Sequence, residues 1–178
     1  MKKFWLLALI VLLSAGLMLT TTSCAKKQVK DDKTATTGPS QEELDKQKAE
    51  QDRLAREKEA KRGEVMANFE QAVIYFDYDS SVIRPESEEV LKVKAQAMKD
   101  YTDVNAIVEG HCDERGTAEY NMALGDRRAN SAKKFLVDQG IEGTRLDTIS
   151  YGEEKPVAKG HKENVWKQNR RAEFKVKK

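Results

Sequence analysis

Between Val108 and Ala129 the chain reads VEGHCDERGTAEYNMALGDRRA, and this stretch holds most of the side chains that could do chemistry. A short apolar run, Ala106-Ile107-Val108, breaks at Gly110 into the polar turn His111-Cys112-Asp113-Glu114-Arg115-Gly116. A long helical pattern follows. At about 100° per residue, Leu124, Arg128, Ala132 and Phe135 share a narrow arc, with Asn121 almost in line. Arg128 therefore lies on the apolar stripe of its helix, while Arg127 points away from it. A guanidinium in that place must be paired with a carboxylate or face a cleft. The nearest carboxylates in sequence are Asp113 and Glu114, on the turn that feeds the helix. A carboxylate attracts an ammonium and a guanidinium grips a carboxylate bidentately. Asp113, Arg128 and Asn121 together would suit a zwitterion such as the free end of an amino acid. The same residues would equally suit an internal salt bridge that orders the turn, and the residue types leave both readings open.

Three further groups could carry chemistry. Tyr75-Phe76-Asp77-Tyr78-Asp79 is an aromatic and acidic cluster at the end of an apolar strand pattern, with Tyr75 expected in the core. If the first two strands are neighbours, this cluster shares an edge with Asp113. His111-Cys112-Asp113 raises the question of a metal. His161 is the one other histidine, and there is no CxxC or HxxxH spacing, so neither a metal nor a cofactor is expected. Cys112 with His111 could in principle be a thiol nucleophile and its base. Sequence neighbours seldom align for proton transfer, so a hydrolase is the minor alternative and a non-enzyme is expected. Asn169-Arg170-Arg171 could hold an anion, and is read instead as structural.

The rest of the chain must position these groups. Its 178 residues can hold one ordinary domain with extensions. Charged residues make up 35% and the mean hydropathy is -0.73, so the surface is well solvated. Without Lys2 and Lys3 the basic residues number 30, equal to the acidic ones, which leaves no electrostatic footprint for nucleic acid. Residues 1–23 read as a signal peptide: Lys2-Lys3, then an apolar run from Phe4 to Leu19, then small polar residues. Cys24 directly after them resembles the acylated cysteine of bacterial lipoproteins, whose two or three acyl chains give stable anchoring. Ala25 after that cysteine favours, by the same resemblance, the outer membrane. With Cys24 acylated, Cys112 has no disulfide partner and is expected to be buried.

Residues 24–40 are polar and nearly devoid of apolar side chains, as a flexible tether would be. Residues 41–63 are rich in helix formers and mixed charge with no heptad seam, which predicts a solvated helical spacer ended by Gly63. The folded domain is expected over residues 64–178. Its strands are predicted at Ala72–Phe76, Val104–Glu109, Leu146–Tyr151 and Arg171–Val176. One helix is predicted from Pro85, with Val90, Leu91, Ala95 and Met98 inward, and another up to Gln139. The order is βαβαβ, a loop, then β: an α/β sandwich with one four-stranded mixed sheet and helices packed on one face.

VEGHCDERGTAEYNMALGDRRAN, with YFDYDSSVIRPES before it and ISYGEEKP and QNRRAEF after it, resembles the OmpA-like C-terminal domain family. More narrowly it resembles the lipid-anchored, peptidoglycan-binding branch of that family, over residues 70 to 177. The resemblance implies an OmpA-like sandwich that holds the meso-diaminopimelate of the peptidoglycan stem peptide. It places ligand contacts on Asp113 and Arg128, on Asn121, and on Phe76 and Asp77. It also implies an outer-membrane lipoprotein facing the periplasm, tethered to the cell wall. Its further partner would be the periplasmic β-propeller protein of a Tol system acting in envelope integrity and cell division. An OmpA-like lipoprotein without Tol partners is the alternative. Cys112 departs from the family, standing where alanine or threonine is usual.

Overall fold

The structure, a computed structural model, describes residues 40–177, so the expected signal peptide, Cys24 and most of the tether lie outside the described residues. Residues Gln41–Lys178 form a compact unit. It begins with α1 (Gln41–Gln71), followed by β1 (Ile74–Tyr75), α2 (Pro85–Asp100), β2 (Ala106–His111) and α3 (Ala118–Asp138). A 3-10 turn (Gly143–Arg145), β3 (Leu146–Gly152), α4 (Glu163–Asn169) and β4 (Arg171–Val176) complete it. The loop before the last strand thus carries a short helix of its own.

The sheet order is β1-β4-β2-β3, with β2 and β3 parallel and β4 antiparallel to both of its neighbours. The expected mixed four-stranded sheet is present, but β1 and β2 are not neighbours, because β4 lies between them. Alternation along the strands separates two faces. Ile74, Ala106, Val108, Leu146, Ala172 and Phe174 point into one core with Leu91, Met98, Ala129, Ala132 and Leu136 of the helices. The opposite face carries Glu109, His111, Glu173 and the outward Tyr75, which is exposed and not a core residue. Phe76, one position on, is the aromatic that enters the core.

Gly63 does not end α1. The helix is exposed through Lys61, then continues for nearly three turns that put Phe69 in the core and Val65 and Met66 against it. Burial of that apolar edge outweighs the roughly 1 kcal/mol cost of one interior helical glycine. The expected domain edge at Glu64 therefore falls inside a continuous helix.

α3 is pressed onto β2 and β3. A side-chain carbon added to Gly110 would stand 1.9 Å from the Gly125 carbonyl oxygen, and one added to Gly125 would stand 2.3 Å from Ser150 Oγ. Only glycine permits this approach. Ser150 Oγ completes the contact by donating to the Met122 carbonyl at 2.7 Å. This packing fixes the height of Asn121 and Arg128 over the end of β2.

Candidate functional site

Three segments meet where β2 ends: the turn after β1, the turn from Cys112 to Gly116, and the first three turns of α3. Thr117 caps α3, its side chain accepting from the Tyr120 backbone N–H. Asp79, in the turn after β1, takes a left-handed φ of 51°, which aspartate tolerates better than most residues. Between these segments opens a cavity of about 230 Å³. Tyr78, Asp79, Asp113, Arg115, Tyr120 and Arg128 line it, with Cys112, Asn121 and Leu124.

Arg128 is fully buried, as its place on the stripe requires. Its Nε donates to the Ser80 carbonyl at 2.9 Å, and one terminal nitrogen donates to the Asp77 carbonyl at 3.0 Å. The other donates to the His111 carbonyl at 2.8 Å and to Cys112 Sγ at 3.3 Å. Every acceptor is neutral, and neither Asp113 nor Glu114 pairs with this guanidinium. Of the two readings that the residue types left open, the internal salt bridge between Asp113 and Arg128 is therefore not formed. Burial draws the Arg128 pKa down, but an arginine titrates so far above neutrality that the charge remains. Four hydrogen bonds leave one of five guanidinium N–H groups over, on a side chain that faces the cavity.

Asp113 has other partners. Arg115 donates to it through its backbone N–H at 3.1 Å and its side chain at 3.0 and 2.7 Å, and Arg170 donates at 3.2 Å. Burial works to raise the Asp113 pKa, and these bonds outweigh it, so the carboxyl lies below the usual range. Arg115 itself is sandwiched between the rings of Tyr78 and Trp166, 3.9 and 4.1 Å from their centroids. The carboxylate that would meet a ligand ammonium is thus covered by an internal cation, and a residue outside the expected set does the covering.

Asn121 is buried and turns its amide toward the carbonyls of Asp113 and Arg115, at 3.3 and 3.1 Å, and toward Glu153 at 2.5 Å. It holds the turn in shape from the helix side. Phe76 and Asp77 do not line the cavity. The Phe76 ring lies 5.2 Å from the Arg128 guanidinium carbon, and Asp77 contributes its carbonyl while its side chain stays in solvent. Leu124 packs beside the cavity, and Arg127 is exposed.

Cys112 is buried, and burial pushes its thiol up to about 11. Its Sγ donates to the Asn121 carbonyl at 3.3 Å. The His111 ring lies on the face of the sheet opposite the helices, stacked on Tyr151 with centroids 5.5 Å apart. A protonated thiol with its neighbouring imidazole on the other side of the strand is no nucleophile–base pair. Glu114 faces away from Arg128, bonded to His161 at 2.6 Å and Trp166 at 2.8 Å. Asn169, Arg170 and Arg171 do fasten structure. Asn169 bonds the 157–158 loop, Arg170 ties Asp113 to Glu163 and the Phe76 carbonyl, and Arg171 pairs with Glu173.

Tyr78 and Asp79 of the aromatic and acidic cluster do reach the cavity, whereas Arg115 and Tyr120 are cavity residues that the sequence pattern did not single out. The Tyr120 hydroxyl donates to the Asp79 carboxylate and joins α3 to the turn after β1. The capped start of α3, with an aromatic at its third position, is the one local signal for this contact.

Residues 75–170 match the OmpA family. A protein of Pseudomonas aeruginosa named peptidoglycan-associated lipoprotein is 52% identical over 101 residues, covering 57% of this chain and 60% of its own length. A protein of the same name from Mesorhizobium japonicum is 52% identical over 99 residues, 56% of this chain and 59% of its own length. The chain thus spans about three fifths of the length of these curated relatives. Among solved structures, the peptidoglycan-associated lipoprotein from Burkholderia pseudomallei is 38% identical. It aligns with a TM-score of 0.59 over 60% of this chain and 91% of that one.

Proposed function

The chain belongs to the OmpA family, and on that premise we propose that it binds peptidoglycan noncovalently, gripping the zwitterionic end of meso-diaminopimelate in the cavity beside α3. One observation carries the reading: the fully buried Arg128 guanidinium is held only by neutral acceptors and faces an open cavity. A buried cation in that state gains most from an incoming carboxylate. The names of the relatives from Pseudomonas aeruginosa and Mesorhizobium japonicum support the same ligand class.

In the proposed complex Arg128 takes the ligand carboxylate through its remaining N–H. Asp113 takes the ammonium after Arg115 withdraws, so that one cation replaces another on the same carboxylate. Asn121 holds the turn carbonyls in place, and Phe76 and Asp77 contribute through the backbone and ring that frame Arg128. Cys24 carries the lipid that anchors the chain in the outer membrane, facing the periplasm. Residues 24–40 and the exposed part of α1 give the reach to the wall. By the family resemblance, the periplasmic β-propeller protein of a Tol system is the second partner, and the role is in envelope integrity and division. Modest affinity per site suffices when many anchored copies act on one polymer.

The test is co-sedimentation of the full chain with purified sacculi, with and without free meso-diaminopimelate. Pelleting that the free amino acid reverses, and that Asp113→Ala loses while keeping a cooperative unfolding transition, is the expected result. Pelleting unaffected by both overturns the cavity assignment, and absence of pelleting overturns the peptidoglycan reading.

A further inference from the structure

The helix-free face of the sheet holds a second group of side chains that the peptidoglycan reading does not use. β2 presents Glu109 and His111 two residues apart on this face, and β4 presents Glu173 directly opposite Glu109. One ligand atom from each of the three can be chosen so that all lie within 4.8 Å of one another. His111 is 2% exposed, and neither of its ring nitrogens has a hydrogen-bond partner. Two carboxylates directly opposed across an antiparallel pair repel each other, and a buried imidazole with both nitrogens unmet is itself unfavourable. Arg171 and Lys175 already offset part of the repulsion at Glu173, and a cation seated among the three would relieve the rest and give the imidazole a partner.

We infer that Glu109, His111 and Glu173 form a binding site for a divalent transition-metal cation of the Zn²⁺ type on the face of the sheet opposite the helices. One imidazole nitrogen and two carboxylate oxygens make a donor set that such an ion accepts, with water completing the coordination. Tetrahedral coordination at Zn²⁺ distances sets ligand atoms about 3.4 Å apart, so small side-chain rotations close the site. Arg171 holds one oxygen of Glu173 at 2.7 Å and orients the carboxylate, leaving the second oxygen as the donor. Lys175 stands 3.5 Å from that second oxygen on a half-exposed side chain and withdraws when the ion enters.

The ion would clamp the two central strands one residue before the Cys112–Gly116 turn. Arg128 holds the His111 carbonyl at 2.8 Å from the other side, so both sides of this residue become fixed. The site is separate from the cavity, and its failure leaves the peptidoglycan reading intact.

The experiment is a titration of the untagged full chain with Zn²⁺ alone by calorimetry, and with Co²⁺ alone by visible absorption. The expected result is one saturable Zn²⁺ site per chain, a higher unfolding temperature with Zn²⁺, and a Co²⁺ ligand-field band. Glu109→Gln and Glu173→Gln, which keep the size of each side chain, should each weaken Zn²⁺ at least tenfold without changing retention on sacculi. His161→Gln should leave binding unchanged. Absence of saturable binding, or Zn²⁺ affinity retained in both glutamine variants, overturns the site.

Discussion

At the scale of single residues, the partners of Arg128 decide how the site behaves. Three main-chain carbonyls, two from the turn after β1 and one from the end of β2, converge on one planar guanidinium. A lysine ammonium, a single point charge with less reach and no planar fork, cannot meet Ser80, Asp77 and His111 at once. Arg128→Lys should therefore lower stability by about 2 kcal/mol, since hydrogen bonds to a charged donor contribute about 1.5–3 kcal/mol each and some are rebuilt. It should also raise the concentration of chain needed for half-retention on sacculi at least tenfold, although the positive charge is kept. Urea unfolding and a sedimentation isotherm on the same preparation measure the two effects. Wild-type retention in this variant would mean that charge alone, and not an N–H held in place by the carbonyls, recognises the ligand.

At the scale of elements, the seam between α3 and the parallel pair β2–β3 sets the geometry of the cavity. Gly125→Ala gains about 1 kcal/mol of helix propensity, but its Cβ meets Ser150 Oγ at 2.3 Å and the Gly110 carbonyl oxygen at 3.0 Å. The helix must back away or Ser150 must give up the Met122 carbonyl, and overpacking of this kind costs about 1–3 kcal/mol. The net expectation is a lower urea midpoint and weaker retention on sacculi, with Ser150→Gly in the same background recovering part of both. Gains of stability on Gly125→Ala would show that the seam is looser than its geometry implies. The elements themselves were legible because each rests on a local period. The stripe through Asn121, Leu124, Arg128 and Ala132 is buried as the 100° rule requires, and Arg171–Val176 begins and ends where its alternation does. Gly63 misled because a helix stop is a weak local signal, overruled here by Phe69 docking eight residues from the exposed stretch that ends at Lys61.

At the scale of the whole molecule, what the sequence could not disclose is what depends on distant segments meeting. The insertion of β4 between β1 and β2 is a pairing of strands about a hundred residues apart, and no local pattern encodes it. For the same reason the carbonyl partners of Arg128, and the Arg115 and Arg170 partners of Asp113, were invisible where only side-chain types are written. Lys94 is a third case: it lies on the buried stripe of α2 with Leu91 and Met98, where a lysine is not expected. α1, α2 and β4 converge on it. Its ammonium donates to the Phe69 carbonyl and sits 4.6 and 4.2 Å from the ring centroids of Phe69 and Phe174. Burial lowers its pKa to about 7, from an ordinary 10.5. Because the folded pKa is the lower one, the unfolded chain binds more protons between pH 7 and 10.5, and stability contributed by this group rises with pH across that window. The slope is at most about 1.4 kcal/mol per pH unit, and below pH 7 both states carry the proton and the slope vanishes. Lys94→Met, which fills a similar volume without the charge, should remove this rise while leaving other titrations in place. The difference in urea-unfolding free energy between the two proteins, followed from pH 6 to 10, should therefore be flat at first and then move steadily in favour of the wild type. Parallel curves across the whole range would mean that the Phe69 carbonyl and the two rings keep the ammonium charged inside the core.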